Sequence, residues 1–428
     1  MRNKILWTFG TMAITAVINL LILIFTSQLL GTEGRGVISL LVLGITIIAL
    51  VSNIVGGPAL IYLVPRIDLF TIFFLSYIWA CISSVLLTLF LHYFHLIPDN
   101  LTTHIFFLSV LQNLLSVNLF ILIGKEKIHE SNVVSFVQIL LLFISLLILL
   151  IVLHKKTVLS YIISSYIAYA FSFVISFLAL AKGLKINRLT EIGIVLQEIF
   201  KCGFLVQLSN TMQLLNYRLS FYILAFYYST SLVGIYSTGI AVCESVWIIS
   251  NSIIKVQYAR ISNSSDITYC RVLTIKLSKI SLLLTVIATI FIFLLPQDFF
   301  IFIFGKNFGA IHTVIFSVCI GIASIGMTIL YNHYFAGIGK LYINTIGSSI
   351  GFAFTLVFGL ILIPKYGLVG AGVTSSISYL ATSTFITIVF MKETKIKFIE
   401  LLPTMEDYYF SVKEIRAFIN SKQKFLKS

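Results

Sequence analysis

The sequence predicts an all-α polytopic membrane protein with about twelve transmembrane helices, and three observations carry that prediction. First, 59% of the 428 residues are apolar and only 10% are charged, against roughly 25% charged in an average soluble domain. Mean hydropathy is +1.06, more apolar surface than a water-soluble core of this size hides. Second, the apolar residues fall in runs of roughly 20, the length that crosses a bilayer as a helix and about twice that of a barrel strand. Third, the basic residues fall mostly in alternate connections between the runs, the positive-inside pattern of a membrane protein.

Taken in order, the runs are Leu6–Leu30, Gly36–Leu60, Phe70–Phe94, Thr103–Ile123, Val133–Leu153, Leu159–Ala181, Gly203–Tyr227, Val233–Ile254, Leu273–Leu295, Ile311–Ala336, Ile343–Ile363 and Leu368–Met391. The first follows Met1-Arg2-Asn3-Lys4 and holds about 25 apolar residues, longer than a signal-peptide core, so it reads as an uncleaved span. Gly56-Gly57-Pro58 and Pro296 are expected to kink the second and ninth spans. With the N-terminus inside, inner segments hold 23 of the 29 Lys and Arg residues and outer ones hold 5, leaving Arg218 within a span. Both termini are thus expected in the cytoplasm. The pair Lys155-Lys156 is the local exception.

The longest inner connection between spans, 182–202, follows the sixth span and divides the chain into six plus six. Ile192, Val195, Leu196 and Ile199 share one helical face there, which predicts a short amphipathic helix at the cytoplasmic interface. The expected organisation is a first bundle over 1–181, this linker over 182–202, a second bundle over 203–391 and a basic cytoplasmic tail over 392–428. In the tail, Thr404 and Asp407 match a capping box. Tyr408, Val412, Ile415 and Ile419 share a face suited to anionic membrane lipid. Gly36-Val37-Ile38-Ser39 and Gly234-Ile235-Tyr236-Ser237 open the second and eighth spans, 198 residues apart. With six spans in each half, the repeats are parallel, related by an axis along the membrane normal.

Composition also excludes. The basic balance, net +14, resides in short loops and the tail, so nucleic acid is not an expected partner. The five cysteines show no metal-ligand spacing. The Gly-Lys pairs at Gly124, Gly305 and Gly339 lack the rest of a phosphate loop, which excludes an ATPase. No catalytic residue, metal or cofactor is expected.

The candidate site residues are charges set in apolar surroundings, which are functional hypotheses by default. Arg218 lies about 12 Å below the outer end of span seven, and Glu244 about 15 Å into span eight. They are expected to pair, since an arginine–carboxylate pair offsets part of its desolvation cost. Arg35 and Arg66 flank span two, outside and inside; an arginine fork suits phosphate. Amides in the apolar runs, among them Asn216, suit sugar hydroxyls or helix-to-helix hydrogen bonds.

The stretch Leu215–Ile253 resembles the start of the second half of Wzx-type polysaccharide flippases, members of the multidrug/oligosaccharidyl-lipid/polysaccharide (MOP) exporter superfamily. Asn216, Arg218, Gly234, Ile235, Tyr236, Ser237, Glu244 and Trp247 match that pattern. Ala336–Lys340, Ile363–Ala371 and Leu30–Gly36 are similar to further parts of it. Ser220 stands where the family often carries Asp. The resemblance implies a V-shaped pair of six-helix bundles around a central cavity that opens alternately to either side. It implies a bacterial inner-membrane protein that moves an undecaprenyl-pyrophosphate-linked oligosaccharide to the outer leaflet, in company with membrane lipids, a polymerase and other polysaccharide assembly proteins. Arg218, Glu244, Arg35, Arg66 and Asn216 are then the expected substrate-binding set. An ion-coupled multidrug exporter or a peptidoglycan-precursor flippase of the same superfamily, and more remotely a membrane polysaccharide polymerase, are the alternatives. A cation exporter needs intramembrane acids, and Glu244 is the only acid placed well inside a span.

Overall fold

The structure, a computed structural model, describes residues 2–181, 192–261 and 266–401. Among these residues there is no strand. The helices are α1 (Arg2–Gly56), α2 (Ala59–Leu63), α3 (Leu69–Tyr93), α4 (Thr102–Gly124), α5 (Ile128–Leu147), α6 (Val158–Ala181), α7 (Ile192–Tyr227), α8 (Thr230–Glu244), α9 (Trp247–Ile261), α10 (Ile267–Leu294), α11 (Gln297–Phe304), α12 (Ile311–Gly337) and α13 (Leu341–Thr394).

Eight helices among the described residues are long and apolar enough to cross a bilayer, and α8 with α9, bent by 43°, adds a ninth. Two of the eight are of double length. α1 has 55 residues and α13 has 54, so each would run about 80 Å if straight, more than twice the apolar thickness of a membrane. A single glycine divides each: Gly31 at φ 70, ψ −172, and Gly367 at φ 54, ψ −122. Only glycine adopts such angles without a steric penalty. One residue thus does what the sequence predicts for a turn of several. The double helices, taken as two spans each, and the 36-residue α7 complete the expected twelve. α7 is less apolar because Glu198, Lys201, Gln207, Asn210, Gln213, Asn216 and Arg218 all lie along it.

The chain forms two units, residues 1–238 with 298–310, and residues 239–297 with 311–428. The first unit has two buried clusters. One gathers Ile38, Leu41, Ile45, Ile105, Leu146 and Tyr161 from α1, α4, α5 and α6, with Leu101 from the turn before α4. The other gathers Val55, Leu60, Ile72, Val117, Ile121, Leu180, Val195 and Ile199. The second unit is packed around Tyr331, Tyr334, Phe335, Ile386 and Phe390. There the Tyr331 ring stacks on Phe390 at 4.1 Å, and Tyr334 meets Phe390 edge-on at 5.2 Å.

Some local expectations change. Residues 192–202 are not a separate interfacial helix; they are the first turns of α7, with Val195 and Ile199 buried. Pro296 follows the end of α10 and stops that helix instead of kinking it. Gly56-Gly57-Pro58 does break the chain, between α1 and α2. The outer connection expected around 296–310 contains the eight-residue α11. Residues 182–191 of the linker and the expected tail helix with its capping box lie outside the described residues.

The repeat shows at matched turns. Asp68 caps α3 by accepting from Thr71 N, and Asp266, 198 residues later, caps α10 by accepting from Thr268 N and Tyr269 N. The α4–α5 and α12–α13 turns also match. Lys127 N donates to Leu122 O at 2.9 Å and Lys340 N to Phe335 O at 2.8 Å. Each turn has one positive φ, 62° at Glu126 and 78° at Gly339, and each ends on a lysine that opens the next helix. Lys340 Nζ donates to Glu393 Oε1 at 2.7 Å, which holds Lys340 above the ordinary lysine range.

Candidate functional site

Within the first unit, the arm of α1 that follows Gly31 crosses the start of α8. The crossing is reciprocal. A methyl group at Gly36 would overlap Thr230 O, and one at Gly234 would overlap Thr32 O. Thr230 is Thr32 displaced by 198 residues, and Gly234 is Gly36 displaced by the same step. Two backbones come this close only where both partners lack Cβ. Ser39 Oγ and Ser237 Oγ, also 198 residues apart, share a hydrogen bond of 2.7 Å. Ser231 Oγ donates to Thr32 Oγ1 at 2.7 Å. The short sequence repeat is therefore the contact surface itself, related locally by a two-fold operation.

Four of the five candidate residues belong to the first unit. Arg35 lies on α1 one turn beyond Gly31 and beside the crossing, and its Nε is buried with no hydrogen-bond partner among the described residues. Arg66 is at the other end of this stretch, past α2, and is exposed. Its Nη1 donates to Tyr62 O at 2.6 Å and its guanidinium lies 3.5 Å from the Tyr62 ring centroid. About 30 Å of helix separates Arg35 from the end of α1, so the structure does not bring these two arginines together. Asn216 is buried on α7. Arg218 is half-buried there, nine residues before the end of α7 at Tyr227, hence about 13 Å along the helix. Its guanidinium lies 5.4 Å from the Phe221 ring centroid, and Phe221 meets the buried Tyr236 edge-on at 5.6 Å. An arginine over an aromatic face gains a cation–π attraction that replaces some lost hydration.

Glu244 belongs to the second unit and is the last residue of α8. Sequence reading places it inside a continuous span; the structure places it at a break. Val246 N reaches back to Cys243 O at 3.2 Å, and Ser245 Oγ occupies Val242 O at 2.6 Å. Beyond the break, Trp247 Nε1 donates to Ile322 O at 3.0 Å and its ring lies 5.9 Å from that of Tyr379. Since α8 starts at Thr230, Glu244 is about 21 Å along its helix, deeper than the sequence estimate.

Several residues escaped sequence reading. Lys276 and Lys279 count there with the inner connection, yet both stand on α10, Lys279 fifteen residues before its end at Leu294. The early start of α10 was legible only through its cap, Asp266. The Ser220 and Tyr222 hydroxyls on α7 are buried and lack partners among the described residues. Most of the intramembrane amides bond between or along helices instead of lining open space. Tyr77 Oη donates to Asn118 Oδ1 at 2.7 Å, Asn118 Nδ2 to Ser176 Oγ at 2.9 Å, Asn113 Nδ2 to Ser84 Oγ at 2.9 Å, and Gln138 Nε2 to Gln112 Oε1 at 3.1 Å. Among the described residues no cluster of His, Cys, Asp or Glu could hold a metal ion.

No protein-family model matches this chain, and no curated protein sequence does either. Solved structures do match. The lipid II flippase MurJ in an inward closed conformation matches with a TM-score of 0.75 over 94% of this chain and 89% of its own, at 13% identity. An inward-facing multidrug resistance MATE family transporter of the MOP superfamily matches with a TM-score of 0.71 over 89% and 94%, at 14% identity. The MATE multidrug transporter DinF-BH matches with a TM-score of 0.63 over 91% and 94%, at 17% identity. The chain has the fold of these transporters.

Proposed function

We propose that this protein is a flippase, not an enzyme. In this reading it carries an undecaprenyl-pyrophosphate-linked oligosaccharide across the bacterial inner membrane by alternating access, with both termini cytoplasmic. The organisation in this reading is a bundle over 1–181, a linker from 182 that runs into the first turns of α7 at 192–202, a bundle over 203–391 and the tail 392–428. The observation that carries the proposal is Arg218, a half-buried cation set over the Phe221 ring near one end of α7, within a fold shared with a lipid II flippase. A guanidinium offers a pyrophosphate two parallel hydrogen bonds. Arg35, whose Nε has no partner among the described residues, is the second candidate anion contact. Asn216 offers an amide to sugar hydroxyls, Arg66 a cation at the inner end, and Glu244 the counter-charge that lets the anion go. Membrane lipids and a polysaccharide polymerase are the partners this role requires.

The multidrug-exporter reading has its own support in the MATE likeness. A cationic drug, however, needs acids to bind it, and the charge set here is dominated by arginine.

Charge deletion separates the readings. Arg218→Lys keeps the charge without the planar fork and should export partially. Arg218→Ala should abolish export, because it removes both the charge and the fork that meet the pyrophosphate. In Arg218→Ala at normal protein level, surface polysaccharide should be absent and lipid-linked oligosaccharide should accumulate inside. Near wild-type export by Arg218→Ala would refute the substrate contact. Drug sensitivity of a deletion strain with normal surface polysaccharide would favour the exporter.

A further inference from the structure

The two halves of the chain differ in the connection that follows α3 in the first and α10 in the second. Between α3 and α4 it covers residues 94–101, and between α10 and α12 residues 295–310, which include α11. The repeat step grows from 198 at the Asp68/Asp266 caps to 213 at the Lys127/Lys340 turns. The longer connection supplies eight of those fifteen extra residues, as many as α11 contains. α11 is thus an addition to the second repeat.

It groups apart from its neighbours in sequence. Residues 298–310 belong to the first unit, while α10 and α12 belong to the second. Phe300, Phe304 and Phe308 are buried there, whereas Phe302 is 84% exposed. An α-helix leaves its last carbonyls without internal donors. At the end of α11 the chain turns away at Gly305, φ 110 and ψ 163. Gln28 of α1 supplies the missing donor: its Nε2 reaches Ile303 O at 2.7 Å and Phe302 O at 3.5 Å. Gln28 lies three residues before Gly31, the turn that leads into the reciprocal crossing.

We propose that α11 is a latch on the outer end of the first unit, caught by Gln28 and released during the conformational cycle. Its ends are covalently tied to the second unit and its body is held non-covalently by the first. A displacement of either unit therefore has to carry α11 along or break its contact with α1. The catch is suited to breaking. It is one exposed amide on two carbonyls, both of which water satisfies on release.

The first test uses the purified full-length protein and a lysine-specific protease. Lys306 follows Gly305 and is exposed, but a protease needs several residues around it unfolded, so cleavage reports release. Gln28→Glu keeps the size and removes the donor. It should raise the rate of cleavage at Lys306 about 3- to 10-fold, the factor expected for one hydrogen bond when opening is fast relative to cutting. Gln28→Arg keeps a donor without adding a lysine and should stay near the wild-type rate. Cleavage at Lys155 and Lys156 serves as the internal reference. A Gln28→Glu rate within twofold of wild type, at unchanged melting temperature, overturns the catch.

The second test fixes the latch, and it alone rests on the proposed function. A Cβ at residue 305 would lie 3.9 Å from Gln28 Cα, within disulfide reach. Oxidised Gln28→Cys with Gly305→Cys should stop surface polysaccharide export, and reductant should restore it. Full export by the crosslinked protein overturns release as a step of the cycle. Where the reduced double variant is itself inactive, because residue 305 needs its positive φ, the protease comparison decides. A wild-type Lys306 that is never cut, while Lys155 and Lys156 are, likewise overturns release.

Discussion

Gly36→Ala is the most direct test of the crossing between α1 and α8. The added methyl group would overlap Thr230 O and come within 3.0 Å of Gly234 N, both backbone atoms that no rotamer change removes. The helices must therefore separate by about 1 Å or more to reach ordinary contact. Such a shift takes the Ser39–Ser237 and Thr32–Ser231 bonds, each 2.7 Å, beyond the range of a useful O–H···O bond. Overpacking a tight contact costs about 1–3 kcal/mol, and each lost hydroxyl bond about 1 kcal/mol. The total is about 3–5 kcal/mol. The reciprocity adds a sharper expectation. Gly234→Ala should cost nearly the same, because it meets Thr32 O in the matching position. The double variant should cost clearly less than the sum, since the first alanine has already parted the helices. Gly193→Ala is the control, as nothing lies within 4 Å of its Cβ position on α7. Thermal unfolding of purified protein at fixed detergent concentration ranks the four proteins. If Gly36→Ala unfolds with Gly193→Ala, or if the two crossing glycines differ by more than about 2 kcal/mol, the close reciprocal crossing is refuted.

Three further outcomes are expected. Ser39→Cys with Ser237→Cys should form a disulfide under mild oxidation, because the hydroxyl oxygens are 2.7 Å apart and a disulfide needs sulfurs near 2.05 Å; gel mobility after cleavage between the two sites reads it, and no crosslink under any condition counts against the crossing. Single cysteines at Ser229 and Glu126, both exposed in the structure, should react with an impermeant maleimide from outside and inside respectively; labelling from one side would overturn the proposed orientation. Asn118→Leu deprives Tyr77 Oη and Ser176 Oγ of their shared partner and should lower stability by about 1 kcal/mol, as amide bonds between membrane helices usually do; a loss of export at unchanged stability would instead assign Asn118 to the substrate path.

What the sequence determined by itself was the set of crossings and the repeat. Both follow from one-dimensional constraints. Bilayer thickness sets the length of each apolar run, so spans such as Val158–Ala181 and Ile311–Gly337 are legible to within a few residues. The four-residue match that opens with Gly36 and Gly234 was legible as a repeat, but the close backbone approach that demands glycine at both positions was not. Which face of each helix is buried was not legible, because lipid and protein interior are both apolar. Phe300 is buried and Phe302, two residues on, is 84% exposed, yet composition treats them alike. The break after Glu244 lacks proline and glycine, the residues that usually announce one; backbone bonds to Ala241 and Cys243 shape it. Nor could the sequence show that α11 packs with the first unit, since Gln28 and Ile303 are 275 residues apart. Pairings of that kind follow from which surfaces find each other in three dimensions, and a hydrophobic pattern in lipid carries no record of them.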